Sequence, residues 1–156
     1  MQASDNHLRA KEYLANLSTL TYESLADAMT YKFFRLNTLY HIKDKSGAKV
    51  LFTPNEEQEA FYCGQHNRDI ILKARQLGFT TFKMISDLDD CLFIENFSAG
   101  CICHNMESAK DIFRNKIKFA YTNISKEQKE LIAEIGYILP TPTSDKGNAY
   151  VFSNGS

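Results

Sequence analysis

The stretch Asp69-Ile70-Ile71-Leu72-Lys73-Ala74-Arg75-Gln76-Leu77-Gly78-Phe79-Thr80-Thr81 constrains this chain more than any other. An apolar run follows a polar bend, two cations and a glycine follow the run, and a helical pattern begins at Phe79. Phe82, Met84, Ile85, Leu88 and Leu92 recur at helical spacing up to about Phe93. The run reads as a buried strand, and the unit as strand, tight loop, helix. A phosphate-binding loop needs these parts: a strand aimed at the ligand, a turn whose N–H groups face it, and a helix N-terminus behind. A hydroxyl at the helix start to hold Mg²⁺ and a nearby cation complete the set.

The surrounding chain supports an α/β reading. Residues 8–20 and 22–36 carry two amphipathic helical patterns. Leu39-Tyr40-His41-Ile42 and Val50-Leu51-Phe52 flank Lys43 to Gly47, a charged turn, and predict a β-hairpin. Thr53, Pro54 and Glu56 predict a helix start, with the helix ending near Gly64. Gly100-Cys101-Ile102-Cys103 reads as a second buried strand. Asn105 caps a predicted helix over 106–121, and Ser125 with Gln128 forms a capping box for another that stops near Gly136. Residues 139–147 read as a loop and 149–152 as a strand. Strands alternating with helices predict helices around a mostly parallel sheet.

Composition bounds the function. A chain of 156 residues with 44% hydrophobic residues supplies about one domain with a real core. Its net charge of -1 excludes a uniformly basic DNA binder. Four cysteines do not make a disulfide framework, which suggests reduced thiols in a cytosolic setting. No signal-type segment or membrane-length apolar run is present.

Measured against G-x-x-x-x-G-K-[ST], the loop departs twice. Phe79 stands where the lysine belongs, and Lys73 where the first glycine belongs. Lys73, at the loop's entry, can reach phosphates from the other side, with Arg75 as a second cation. A strand-turn-helix connection with a chance Gly-Phe-Thr-Thr is the alternative.

At these residues the loop resembles the deviant Walker A motif of terminase large subunits, the DNA-packaging motors of tailed bacteriophages. The resemblance covers roughly residues 34–156. It implies a P-loop NTPase-type domain of the RecA/ASCE-like kind, preceded by the hairpin and by a helical region over 1–36, with 37–156 as the first part of the ATPase domain. ATP and Mg²⁺ are the implied cofactors. Lys73, Ala74, Gln76, Leu77, Gly78, Phe79, Thr80 and Thr81 would bind phosphate, Thr80 would hold Mg²⁺, and Arg75 would act as a cis arginine finger. The segment from Leu39 to Gln58 resembles the family's entry to the nucleotide site, which gives Gln58 the adenine contact. A surface glutamine on an ordinary helix is the alternative. The implied partners are double-stranded viral DNA, the portal protein, the small terminase subunit and further copies in a ring on the procapsid. The implied setting is the host cytoplasm, with no membrane.

The family's Walker B strand, ending in Asp-Glu, has no match. Asp87, Asp89 and Asp90 fall on the helix after the loop and read as a solvated face. Asn154-Gly155 after the strand at 149–152 signals a hairpin whose second strand would follow Ser156. The expectation is therefore that the natural protein continues through Walker B to a nuclease domain, and that these residues alone hydrolyse little ATP. A helicase-like P-loop ATPase and a non-enzymatic α/β binding module with a degenerate loop are the rival readings, and Phe79 argues against the first.

Two further clusters read blandly. In Cys101-Ile102-Cys103-His104 the cysteine spacing is too short for a zinc site, so the thiols read as small buried hydrophobes. Lys110, Arg114, Lys116, Lys118, Lys126 and Lys129 read as a solvated face more than a DNA surface, because Asp111, Glu127 and Glu130 lie among them.

Overall fold

The structure, a computed structural model, describes residues 2–72 and 77–156, with side chains described from Asp5 onward. Helices dominate. Helix α1 (Gln2–Ala15) leads through a short 3₁₀ turn at Leu17–Thr19 to α2 (Tyr22–Ala28) and α3 (Lys32–Thr38). Strands β1 (His41–Lys43) and β2 (Lys49–Leu51) follow, then α4 (Glu56–Gly64) and α5 (Phe79–Phe93). Helix α6 (Met106–Ile112) runs into a π-helical stretch at Phe113–Lys118 and on through α7 (Phe119–Thr122). Helix α8 (Lys126–Glu134), β3 (Pro142–Asp145) and β4 (Tyr150–Phe152) complete the order.

The expected mostly parallel, P-loop NTPase-type sheet is not formed. Among the described residues there are two separate two-stranded sheets, both antiparallel. The physical reason lies in the runs read as buried strands. Ile70 and Leu72 are almost fully exposed, and residues 69–72 pair with no strand. Ile102 is fully exposed between Cys101 and Cys103, again outside any strand. An apolar run becomes a strand only where a neighbour accepts its backbone hydrogen bonds, and neither run has one here.

The hairpin expected over 37–52 does form, with His41 opposite Leu51 and Lys43 opposite Lys49. Strand β4 also forms, but its partner precedes it. Residues 139–147, expected as loop, contain β3, and Pro142 faces Phe152. The Asn154-Gly155 turn folds the chain back locally, as the Phe152 N–H donates to the Ser156 carbonyl at 2.7 Å and Gly155 sits at φ 84°.

Capping placed several helices well. Asn105 accepts from the Ser108 N–H at 2.8 Å, and Ser125 with Gln128 makes both bonds of a capping box. The α4 start lies two residues beyond the expected Thr53, because Asn55 and Gln58 form the capping box instead.

One contiguous core draws on both ends of the chain. Ala10, Phe34, Tyr40, Phe82, Ile85, Ile124 and Phe152 belong to the same buried cluster. Tyr40, Phe34, Phe82, Leu36 and Ile85 are its largest fully buried apolar members. Each large aromatic side chain buried this way removes on the order of 150–250 Å² from water.

Candidate functional site

The candidate site is the N-terminal end of α5 and the loop before it. Lys73, Ala74, Arg75 and Gln76 lie outside the described residues. The described part begins at Leu77. Gly78 caps α5 at φ 69° and ψ 9°, in the left-handed region where a side chain is strained. An added Cβ would also lie 2.8 Å from Gln58 Nε2, so a side chain there would push the Gln58 amide from its place.

Gln58 is therefore part of this junction rather than a surface residue. It is 4% exposed. Its Nε2 donates to the Leu77 carbonyl at 2.9 Å, and its Oε1 accepts from the Asn55 N–H at 3.2 Å. One amide thus serves two purposes: it closes the capping box of α4 and it ties α4 to the loop end 19 residues later. One Nε2 hydrogen and one Oε1 lone pair are thereby used, and the side chain is held in place at both ends.

Phe79, expected to line a phosphate loop, is buried and packs edge-on against Phe61 at 5.7 Å. Its ring anchors the start of α5 to α4. Thr80 is exposed on the first helical turn. Thr81 is half-buried, and its Oγ1 accepts from Lys116 Nζ at 2.7 Å. Burial pushes the Lys116 ammonium below the ordinary lysine value, with Asp111 opposing the shift.

Lys116 arrives from the π-helical stretch at Phe113–Lys118. A π turn changes which face the following side chains present, and such turns recur at functional sites. The periodicity over 106–121 predicted the helix but not this widened turn. The first N–H groups of α5 have no intrahelical acceptor and carry the positive end of the helix dipole. The first turn of α5 thus combines N–H donors, an exposed Thr80 hydroxyl and a lysine on Thr81, a donor set that suits an anion. Among the described residues no group of three or more His, Cys, Asp or Glu side chains is placed to hold a metal.

The acidic residues of α5 depart from the solvated face expected of them. Asp89 is fully buried and takes bonds from Arg35 Nη2 at 2.7 Å, Arg35 Nε at 3.1 Å and the Tyr40 hydroxyl at 2.7 Å. Asp90 pairs with Lys32 at 2.6 Å, and Asp87 with Lys83 at 2.9 Å. Arg35 also donates to the Met29 carbonyl at 2.8 Å and lies 4.1 Å from the centre of the Phe93 ring. Burial drives the Tyr40 hydroxyl well above the ordinary tyrosine value, and Asp89 reinforces the shift. The signal was in the spacing: Phe82, Ile85, Asp89 and Leu92 follow steps of three and four, which puts Asp89 inside the apolar stripe.

Several basic residues over 110–129 have partners. Lys118 pairs with Asp145, Lys126 with Glu130 at 3.5 Å, and Lys129 lies 5.3 Å from the Tyr121 ring. The cysteines of the Cys-Ile-Cys-His run are not buried hydrophobes, since Cys101 is exposed and Cys103 half-exposed.

No protein family, no curated protein and no solved structure matches the chain. No helix among the described residues is long and apolar enough to cross a membrane.

Proposed function

We propose that the first turn of α5, with the loop that enters it, binds the phosphates of ATP with Mg²⁺, as part of a motor of the terminase large-subunit kind that packages viral double-stranded DNA. One contact carries the reading: Gln58 Nε2 bonds the Leu77 carbonyl and abuts Gly78. The two sequence segments that the resemblance assigns to one nucleotide site are thereby joined, although they are far apart along the chain. In this reading Lys73 and the α5 N–H groups hold the phosphates, and Thr80 offers its hydroxyl to Mg²⁺. Arg75 stabilises charge on the γ-phosphoryl group. The portal protein, the small terminase subunit and further copies of the chain are its partners, in the host cytoplasm. The reading rests on the loop, α5 and the Gln58 contact, with no parallel sheet behind them among the described residues.

The rival is a non-enzymatic helical binding module. The exposure of Ile70 and Leu72 favours it, because a working phosphate loop is entered from a strand.

Titration of the chain with a fluorescent ATP analogue and Mg²⁺ separates the two. Saturable binding is expected, and Lys73→Ala should weaken it about ten- to a hundredfold, the worth of a charge-assisted hydrogen bond. The circular dichroism spectrum should not change. Equal binding by Lys73→Ala and the parent overturns the phosphate assignment. No binding by the parent favours the module.

A further inference from the structure

The four cysteines are not equivalent. Cys63 is exposed on α4, and Cys91 is half-buried on α5 with its thiol directed at the Phe97 carbonyl, 4.0 Å away. Cys101 and Cys103 differ from both because each has a sulfur neighbour: their Sγ atoms are 3.8 Å apart. The two residues lie in a segment with neither helix nor strand, so no ladder of backbone bonds holds their separation. Ile102 projects into solvent between them. Both cysteines line a cavity of about 700 Å³, bounded by α5, α6 and β4.

We propose that Cys101 and Cys103 form a reversible dithiol–disulfide pair at the rim of this cavity, a modification site for low-molecular-weight disulfides such as oxidised glutathione. The chemistry is thiol–disulfide exchange in two steps. The thiolate of one cysteine attacks a sulfur of the small disulfide, forms a mixed disulfide and releases one small thiolate. The thiolate of the other cysteine then attacks the protein sulfur of that mixed disulfide, closes the Cys101–Cys103 bond and releases the second small thiolate. Two protein thiols are oxidised, one small disulfide is reduced to two thiolates, and the two protons lost by the protein thiols pass through solvent to those thiolates. Proximity makes the second step intramolecular, so it outruns further adduct formation. Partial burial and the Cys103 hydrogen bond hold the Cys101 thiol above its ordinary value, so the exchange quickens as pH rises. Closure draws the 101–103 segment together and changes the cavity mouth.

Cys63 is an internal control, being exposed and separate from the Cys101–Cys103 pair. The whole chain is incubated with oxidised glutathione and read by intact mass and peptide mapping. The expected product carries a glutathione adduct on Cys63 and none on the 101–103 peptide, which is lighter by two hydrogens. A reducing agent restores the thiols. In Cys101→Ser and in Cys103→Ser the remaining cysteine should instead retain a stable glutathione adduct. Stable adducts on both Cys101 and Cys103 of the parent overturn the proposal. So does a parent peptide that stays fully reduced while Cys63 is modified.

Discussion

The helical core and the two extended segments respond differently to the same kind of residue. In α5, Phe82, Ile85, Leu88 and Leu92 lie on one stripe and are all buried. In residues 69–72 and 99–103, Ile70, Leu72 and Ile102 are equally apolar and almost wholly exposed. Apolarity alone does not bury a side chain. A helix satisfies its own backbone and needs only one complementary face, whereas an extended segment must also find a partner strand. Helix α5 finds α3 and the π-helical stretch against it. The extended segments find no strand among the described residues.

The sharpest way to break this contrast is at the bottom of the core. Asp89→Ala leaves the Arg35 guanidinium buried without its carboxylate, and an unfolding free energy lower by about 3–5 kcal/mol is expected from urea denaturation. A loss under about 1 kcal/mol would mean that Arg35 reaches solvent readily and that the core is looser than its burial implies. A paired comparison comes next. Phe82→Ala should cost about 3–5 kcal/mol through cavity formation, whereas Leu72→Ala should stay within about 0.5 kcal/mol. If Leu72→Ala destabilises as Phe82→Ala does, residues 69–72 are packed in solution and the contrast fails.

The smallest effect concerns the hairpin that borders the core. Burial, and then the charge of Lys49, hold the His41 imidazole below its ordinary value of about 6.5, against a hydrogen bond to the Asn123 backbone. The unfolded chain therefore binds this proton more readily than the fold. The His41 contribution is intact above about pH 6.5 and is lost as pH falls through the lower folded value. Carboxylates elsewhere also respond to acid, so the difference between the parent and His41→Gln carries the information. The parent should lose more stability than the variant between about pH 7.5 and pH 5, and parallel losses would remove His41 as the cause.

Legibility in the sequence followed the range of the interactions. Local chemistry was legible: the Asn105 cap, the Ser125–Gln128 capping box, the β1–β2 hairpin and the span of α5 each depend on residues a few positions apart. Long-range pairing was not. The β3–β4 pairing escaped because Pro142 to Asp145 has the composition of a loop and is a strand only opposite Tyr150 to Phe152. The Arg35–Asp89–Tyr40 network escaped because its members are 49 and 54 residues apart. The candidate site was half legible. Gln58 and the loop were both singled out, but the bond that joins them is a tertiary contact, and so is the one between Lys116 and Thr81.

By itself the sequence determined the span of α5 and the starts of α6 and α8, because caps and periodicity act within a turn or two of the chain. It also marked the cations, glycine and hydroxyls of the loop before α5. Only the tertiary structure decided which apolar runs became strands, which acids were buried and what Gln58 holds. Those outcomes depend on what lies opposite each residue in space, and a burial or a ladder bond exists only when the facing surface supplies the partner.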